Sequence, residues 1–389
     1  MTDFVGGNNV TLLTGGTEYF PALAAACDAA CHEIHLETYI FEDDVAGRRI
    51  ADVLARAARR GVAVHLLIDG FGSKDLSEAF LSGLRQSGVR VLKFRPDISP
   101  WTLRRERLRR MHRKIAIIDA HVAFVGGINV IDDMHTPHQK PPRIDYAVRI
   151  EGPLLAAIYP AVKRLWTLVE FTQFGRDWHN LPALQIADAI RRGGQRAAFL
   201  VRDNLGHRSD IEEAYLAAIA GARSEILIAS AYFFPGLSFR RALVDAAGRG
   251  VRVMLLLQGR VEYTLLRYAS RALYGAFLDA GIEIHEYHKS FMHAKVAVID
   301  CRWATVGSSN IDPMSLLLAR EANVVIDDTG FARELRLSLG QAMANGARPL
   351  QHAHWKQQPL PTRMMTWICY ELVRFLTGWS SYGRAREFR

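Results

Sequence analysis

The chain has 389 residues, 49% of them hydrophobic, with 49 Lys and Arg against 40 Asp and Glu, a net charge of +9 and a mean hydropathy of +0.00. That length exceeds one ordinary domain and predicts two or three. No uncharged apolar run reaches roughly eighteen residues and the start, "MTDFVGGNNV", is polar, so neither a spanning helix nor a signal peptide is expected. The basic balance predicts an anionic partner, either nucleic acid or an acidic membrane surface. Cys27, Cys31, Cys301 and Cys369 have neither disulfide-framework nor zinc spacing, which favours a reducing compartment. Cys27 and Cys31, one turn apart in an Ala-rich helix, are expected to be buried small apolar residues.

In chain order, the elements come twice. "VTLLTGGT" from Val10 is matched by "AAFLVRDN" from Ala197. "EIHL" and "ETYIFEDD" (Glu33 to Asp44) are echoed by "EILI" and "ASAYFFPG" (Glu225 to Gly236). "LARAARRGVAVHLLIDG" resembles "LVDAAGRGVRVMLLLQG", and "SGLRQSGVRVLKF" resembles "GAFLDAGIEIHEY". The helices have three- and four-residue apolar spacing; the strands are short β-branched runs. Alternating elements predict an α/β architecture with helices on both sheet faces, duplicated at the scale of a whole domain. The expected division is a first domain over 1–175, a linker over 176–195, a second domain over 196–345 and a tail over 346–389.

Each copy ends in a longer match: "MHRKIAIIDAHVAFVGGIN" (Met111 to Asn129) and "MHAKVAVIDCRWATVGSSN" (Met292 to Asn310). In a strand, alternate residues share a face, so His112 and Lys114 point together, as do His293 and Lys295. An ammonium beside an imidazole repels a metal cation but suits a phosphate. Two such half-sites facing each other would surround one phosphodiester. One neutral histidine could attack phosphorus, and the other could protonate the leaving alkoxide and then deprotonate the incoming hydroxyl. The lysines would stabilise the non-bridging oxygens. No metal or other cofactor is required.

Each imidazole needs a partner on its second nitrogen. Asp145 follows the first string and Glu321 the second, so each is the expected orienter within its own half. The turns "VGGIN" and "VGSSN" permit close approach of backbone to phosphate and bring Asn129, Ser308 and Asn310 as further donors. Asp119 and Asp300, of opposite parity at the strand ends, either join the chemistry or pin the turn.

His112, Lys114, Asp119 and His293, Lys295, Asp300, each followed by G-[GS]-x-N, resemble the paired HKD motifs of the phospholipase D superfamily. "LETYIFEDD", "DYAVRIEGP" and "LLLAREANVVIDD" are similar to bacterial cardiolipin synthases of the short type, over about residues 8 to 340. The resemblance implies two α/β/α sandwich domains related by a pseudo-two-fold axis, with the active site at their junction. It implies transfer of a phosphatidyl group from one phosphatidylglycerol to another with release of glycerol. It implies His112 as nucleophile and His293 as acid/base, and a peripheral place on the cytoplasmic face of a bacterial membrane. The competing expectation within the superfamily is a hydrolytic phosphodiesterase or nuclease. Anionic phospholipid is the expected partner rather than nucleic acid; the oligomeric state is left open.

Two further segments point to a membrane. The first copy carries an insertion, "RPDISPWTLRRERLRRMHRK", with seven basic residues and one acid from Arg104 to Lys114. Such charges attract anionic headgroups at roughly 1 kcal/mol each, and Trp101 suits an interface. In the tail, Arg363, Thr366, Tyr370, Arg374 and Thr377 form a polar stripe. Met365, Ile368, Leu372, Phe375, Leu376 and Trp379 gather opposite, a pattern that suits either an interfacial helix or one closing the second domain. His135/His138, His285/His288 and His352/His354 are expected at the surface.

Overall fold

A computed structural model of the chain describes residues 2–96, 109–136, 140–174, 190–203, 206–260, 264–312, 319–356 and 359–381. Trp101, most of the basic insertion and most of the expected linker lie outside them.

The first half runs β1 (Val5–Thr14), α1 (Gly15–Asp28), β2 (Glu33–Thr38), α2 (Val45–Arg59), β3 (Ala63–Asp69), α3 (Glu78–Gln86) and β4 (Arg90–Phe94). It continues with β5 (Lys114–Ile118), β6 (Val122–Gly126), β7 (Arg143–Ile144), β8 (Tyr146–Glu151) and α4 (Leu155–Phe174). The second half repeats this with β9 (Gln195–Arg202), α5 (Asp210–Gly221), β10 (Glu225–Ser230), α6 (Leu237–Gly248) and β11 (Arg252–Gln258). Two short helices follow, α7 (Thr264–Arg271) and α8 (Tyr274–Asp279), before β12 (Glu283–Tyr287) and β13 (Phe291–Met292). Then come β14 (Lys295–Ile299), β15 (Trp303–Gly307), β16 (Glu321–Asp327) and α9 (Thr329–Gly346). The chain ends with β17 (Ala347–Pro349), α10 (His352–Lys356) and α11 (Leu360–Ser381).

The strand order β17-β12-β11-β10-β14-β15-β16-β9-β1-β8-β6-β5-β2-β3-β4 is a near-palindrome about the β9–β1 seam. Within each half, β2–β3–β4 and β10–β11–β12 are parallel, joined by helical crossovers, while the motif strands β5 and β14 run antiparallel beside them. β1 pairs with β8 over Asn9–Thr14 but with β9 only at Val5 and Asn8, with a register irregularity between. The sheet changes partner there, and the two halves fold face to face.

Side-chain alternation then decides which layer each residue enters. Ile115 and Ile117 of β5 join Val296 and Val298 of β14 in one core shared by both halves. α4 and α9 close this inner layer with Ile158, Val162, Leu335 and Leu339. Ala116 and Ile118 turn outward to the core under α1, α2 and α3, and Ala297 and Ile299 turn to the core under α5, α6 and α8. Each sheet thus has helices on both faces, as the alternating pattern predicts, and the inner apolar layer binds the halves together.

Candidate active site

The histidines sit just before the motif strands, and backbone contacts fix both of them against the opposite half. β13 pairs in parallel with β7, Met292 opposite Ile144, so the next residues, His293 and Asp145, face each other. On the other side, Met111 bridges Arg320, which sets His112 opposite Glu321. The His293 N–H donates to Ile144 O at 2.8 Å and the His112 N–H to Arg320 O at 2.9 Å.

The result is crossed. His112 Nδ1 lies 3.0 Å from both oxygens of Glu321, and His293 Nδ1 lies 2.7 Å from Asp145 Oδ2. This corrects the expectation that each carboxylate serves its own half. Asp145, just before β8, and Glu321, the first residue of β16, occupy equivalent positions on strands that meet the opposite motif across the shared core. Their different sequence distances from the motifs reflect only connection length.

Lys114 Nζ donates to the His112 carbonyl at 2.6 Å, and Lys295 Nζ donates to Asp145 Oδ2 at 3.1 Å. Both lysines and both carboxylates are almost fully buried. Burial pushes the Lys114 ammonium down to about 7; Glu321 opposes that and Lys295 adds to it, so the two half-sites share one field. Burial, with Lys295 beside it, brings His293 down to about 3, and His112 is lowered chiefly by burial. Burial disfavours the Asp145 carboxylate, but Lys295 and His293 hold it below the usual carboxylate range. The free site therefore favours neutral imidazoles and a Lys114 ammonium weakened by burial. A bound phosphodiester anion would favour the protonated forms.

The remaining expected residues divide. Ser308 Oγ donates to Glu321 and accepts from the Ala322 N–H, so it orients the carboxylate that orients His112. Asn129 Oδ1 accepts from the Ile40 N–H at 3.0 Å, holding the loop after β2, and Asn310 is buried at the equivalent place. Asp119 and Asp300 are not brought to the cleft, which corrects the expectation of a chemical role. A five-residue strand, about 16 Å long, separates each from its lysine. Asp119 accepts from the N–H groups of Cys31, His32 and Glu33, and Asp300 from those of Arg223, Ser224 and Glu225. Both have φ of 51°, a left-handed conformation that Asp tolerates, and both pin the far turn. Cys31 also departs from expectation: α1 ends at Asp28, and the thiol is exposed in that turn.

Three features were missed. The Tyr39 ring lies 4.9 Å from the His112 ring and the Tyr232 ring 6.4 Å from the His293 ring. They occupy the same position in the repeated "ETYIF" and "SAYFF" strings, which was the available signal. Arg113 pairs with Glu37 in the interior and donates to Ala161 O of α4, fixing the chain beside His112.

Gly127 stands where the second half has Ser308. A Cβ there would lie 2.6 Å from Asp145 Cγ. Gly127→Ala is therefore expected to displace Asp145, lowering kcat by about 10²-fold and stability by about 1–3 kcal/mol. Turnover measured alongside thermal unfolding checks this; a near-normal kcat would contradict it.

Comparison with known proteins agrees with this geometry. A family model described as "Cardiolipin synthase, PLD-like domain" matches residues 23–138 and 215–342, one segment per half. Cardiolipin synthase B of Escherichia coli K12 is 42% identical over 340 residues, 87% of this chain and 81% of that protein. Cardiolipin synthase B of Salmonella typhimurium LT2 is 39% identical over 378 residues, 96% and 90% of the two chains. The crystal structure of phosphatidylserine synthase from Haemophilus influenzae superposes with a TM-score of 0.71 at 13% identity, over 95% of this chain and 94% of that one, which shows a shared fold. On the family match to both halves and the identity along most of its length, the chain belongs to the cardiolipin synthase family of phospholipase D-like proteins.

Proposed function

We infer that the protein is a phosphatidyltransferase that makes cardiolipin from two molecules of phosphatidylglycerol, releasing glycerol. The observation that carries this is the crossed pairing of His112 with Glu321 and His293 with Asp145, which makes one composite site from two half-motifs. The two carboxylates occupy the Nδ1 atoms, which leaves Nε2 of each ring for the substrate. With the phosphodiester anion bound, His293 takes up a proton at Nε2 from solvent; His112 Nε2 then attacks phosphorus, the bond to glycerol breaks, and the glycerol oxygen takes that proton from His293. The acceptor's hydroxyl then returns a proton to His293 and attacks the phosphohistidine, breaking the P–N bond. Lys114 and Lys295 carry the phosphoryl charge throughout. Both steps balance without an added acid, base or metal.

The near-palindromic sheet supports a domain division within 176–195 and a tail after 345. The tail also supports a peripheral membrane site. α11 packs Thr366, Cys369 and Val373 inward, so part of the expected polar stripe is the docked face. Met364, Trp367, Ile368, Leu372 and Phe375 are exposed, flanked by Arg363 and Arg374. Among the described residues no helix is long and apolar enough to cross a membrane. An outward apolar face with flanking arginines on a basic protein matches an anionic bilayer surface. Four free cysteines suit the reducing, cytoplasmic side. Changing Trp367, Ile368 and Phe375 together to Ser is expected to weaken binding to phosphatidylglycerol vesicles at least about tenfold without moving the unfolding temperature. Vesicle co-sedimentation reads this, and unchanged binding would remove α11 from the contact.

The functional test is labelled phosphatidylglycerol in mixed micelles. Cardiolipin with equimolar glycerol is the expected product. Phosphatidic acid alone would mean a hydrolase, and plasmid nicking without lipid turnover would mean a nuclease.

A further inference from the structure

The two half-sites are not equivalent beyond the histidines. Asp69 and Gln258 hold the same position at the ends of β3 and β11, and each accepts from the N–H just before a catalytic histidine: Met111 N at 2.9 Å and Met292 N at 3.4 Å. Asp69 is saturated, because its other oxygen accepts from Phe71 and Gly72. Gln258 is not: its Nε2 is buried without a partner.

That spare donor borders a pocket lined by Tyr232, Gln258, Arg260, Arg267, Ser270 and Glu286 among others, with a cavity volume of about 40 Å³ below its mouth. That admits a phosphate-sized group but not a whole lipid head. Glu286 is already engaged by Arg271 at 3.7 Å and His288 at 3.5 Å. Arg260 donates to the His288 carbonyl, and Arg267 makes no hydrogen bond or ion pair among the described residues. The pocket therefore offers two guanidinium groups, one carboxamide donor and a hydroxyl, a set that selects an anion carrying hydroxyls. Tyr232 joins it to His293, whose ring lies 6.4 Å away. In the first half, the N–H groups of Phe71 and Gly72 take up the remaining acceptor capacity of Asp69.

We propose that this pocket is the acceptor's phosphate subsite: it takes the phosphate of the second phosphatidylglycerol on Arg267 and Arg260, while the glycerol outside its mouth presents its terminal hydroxyl to His293. The proposal rests on the transferase reading above. It gives a physical reason for placing the acid/base at His293, since the group leaving in the first step and the one entering in the second occupy the same side of phosphorus. Gln258 and Arg267 are positioning residues for that acceptor. They act on its phosphate, which a small neutral acceptor lacks.

The experiment compares two acceptors on the full-length enzyme. Exchange of labelled glycerol into phosphatidylglycerol reads the histidine chemistry without an acceptor phosphate; cardiolipin formation reads it with one. Arg267→Ala is expected to cut cardiolipin formation at least about tenfold through a raised KM for lipid acceptor, while glycerol exchange stays within about twofold. Arg267→Lys is expected to recover part of the loss, because it keeps the charge. Arg85→Ala, on α3 far from the pocket, serves as the control. Equal loss of both reactions, or loss of neither, would overturn the subsite. A wild-type enzyme that neither exchanges glycerol nor makes cardiolipin would instead overturn the transferase reading itself.

Discussion

His112→Ala is expected to lower cardiolipin formation by on the order of 10⁴-fold or more, because the covalent route disappears, and His293→Ala by about 10²–10⁴-fold, the usual worth of a general acid. The two variants separate when the leaving group needs no proton. With an aryl phosphodiester, His293→Ala still forms the phosphohistidine and, lacking its base, accumulates it. His112→Ala gives no label. Acid-labile, base-stable phosphate retained on the denatured protein is the readout. Label on the His112→Ala protein but not on His293→Ala would reverse the roles; label on neither would end the covalent mechanism. The pH profile follows from the same site. The nucleophile must be unprotonated, and burial lowers the His112 imidazole. The acid limb of kcat/KM is thus expected below the ordinary histidine pKa of about 6.5.

Asp145→Asn is the second large effect, expected to cost about 3–5 kcal/mol of stability and about 10²–10⁴-fold in kcat. Asp145 meets both Lys295 Nζ and His293 Nδ1 in the interior, and removing its charge leaves a buried ammonium without a counter-ion. The folded carboxyl lies below its ordinary range, so its contribution is present above about pH 4 and lost as acid protonates it in the fold. A double variant, Asp145→Asn with Lys295→Met, is expected to regain stability and not activity. Denaturant unfolding beside turnover measures both. If Asp145→Asn impaired only the reaction at full stability, the buried pair would not be holding the halves together.

Much of this was legible in the strings themselves. Strand parity places His and Lys together, and the duplication makes a two-half site the economical reading of two motifs. The repeated Tyr39 and Tyr232 were visible too, but a tyrosine in a strand has no chemistry until an imidazole stands over it. The tail shows the limit of periodicity. The pattern separates two faces of α11 but does not say which one a neighbour covers. Contact with Phe234 and Arg240 turned the Tyr370 side inward and left the larger apolar face outside.

By itself, the sequence determined what is local: the alternating elements, the two copies, the imidazole–ammonium pairs and the turns that end each motif strand. These depend on residues a few positions apart, where backbone period and side-chain type suffice. Tertiary structure decided the pairing of His112 with Glu321 across 209 positions and of His293 with Asp145 across 148. It also decided that Asp119 and Asp300 serve turns, and that Asp69 and Gln258 brace the two histidine segments, with a spare donor left on Gln258. Those outcomes follow from β1 exchanging partners at the seam and folding one sheet onto the other, a long-range packing event that leaves no periodic trace in either string.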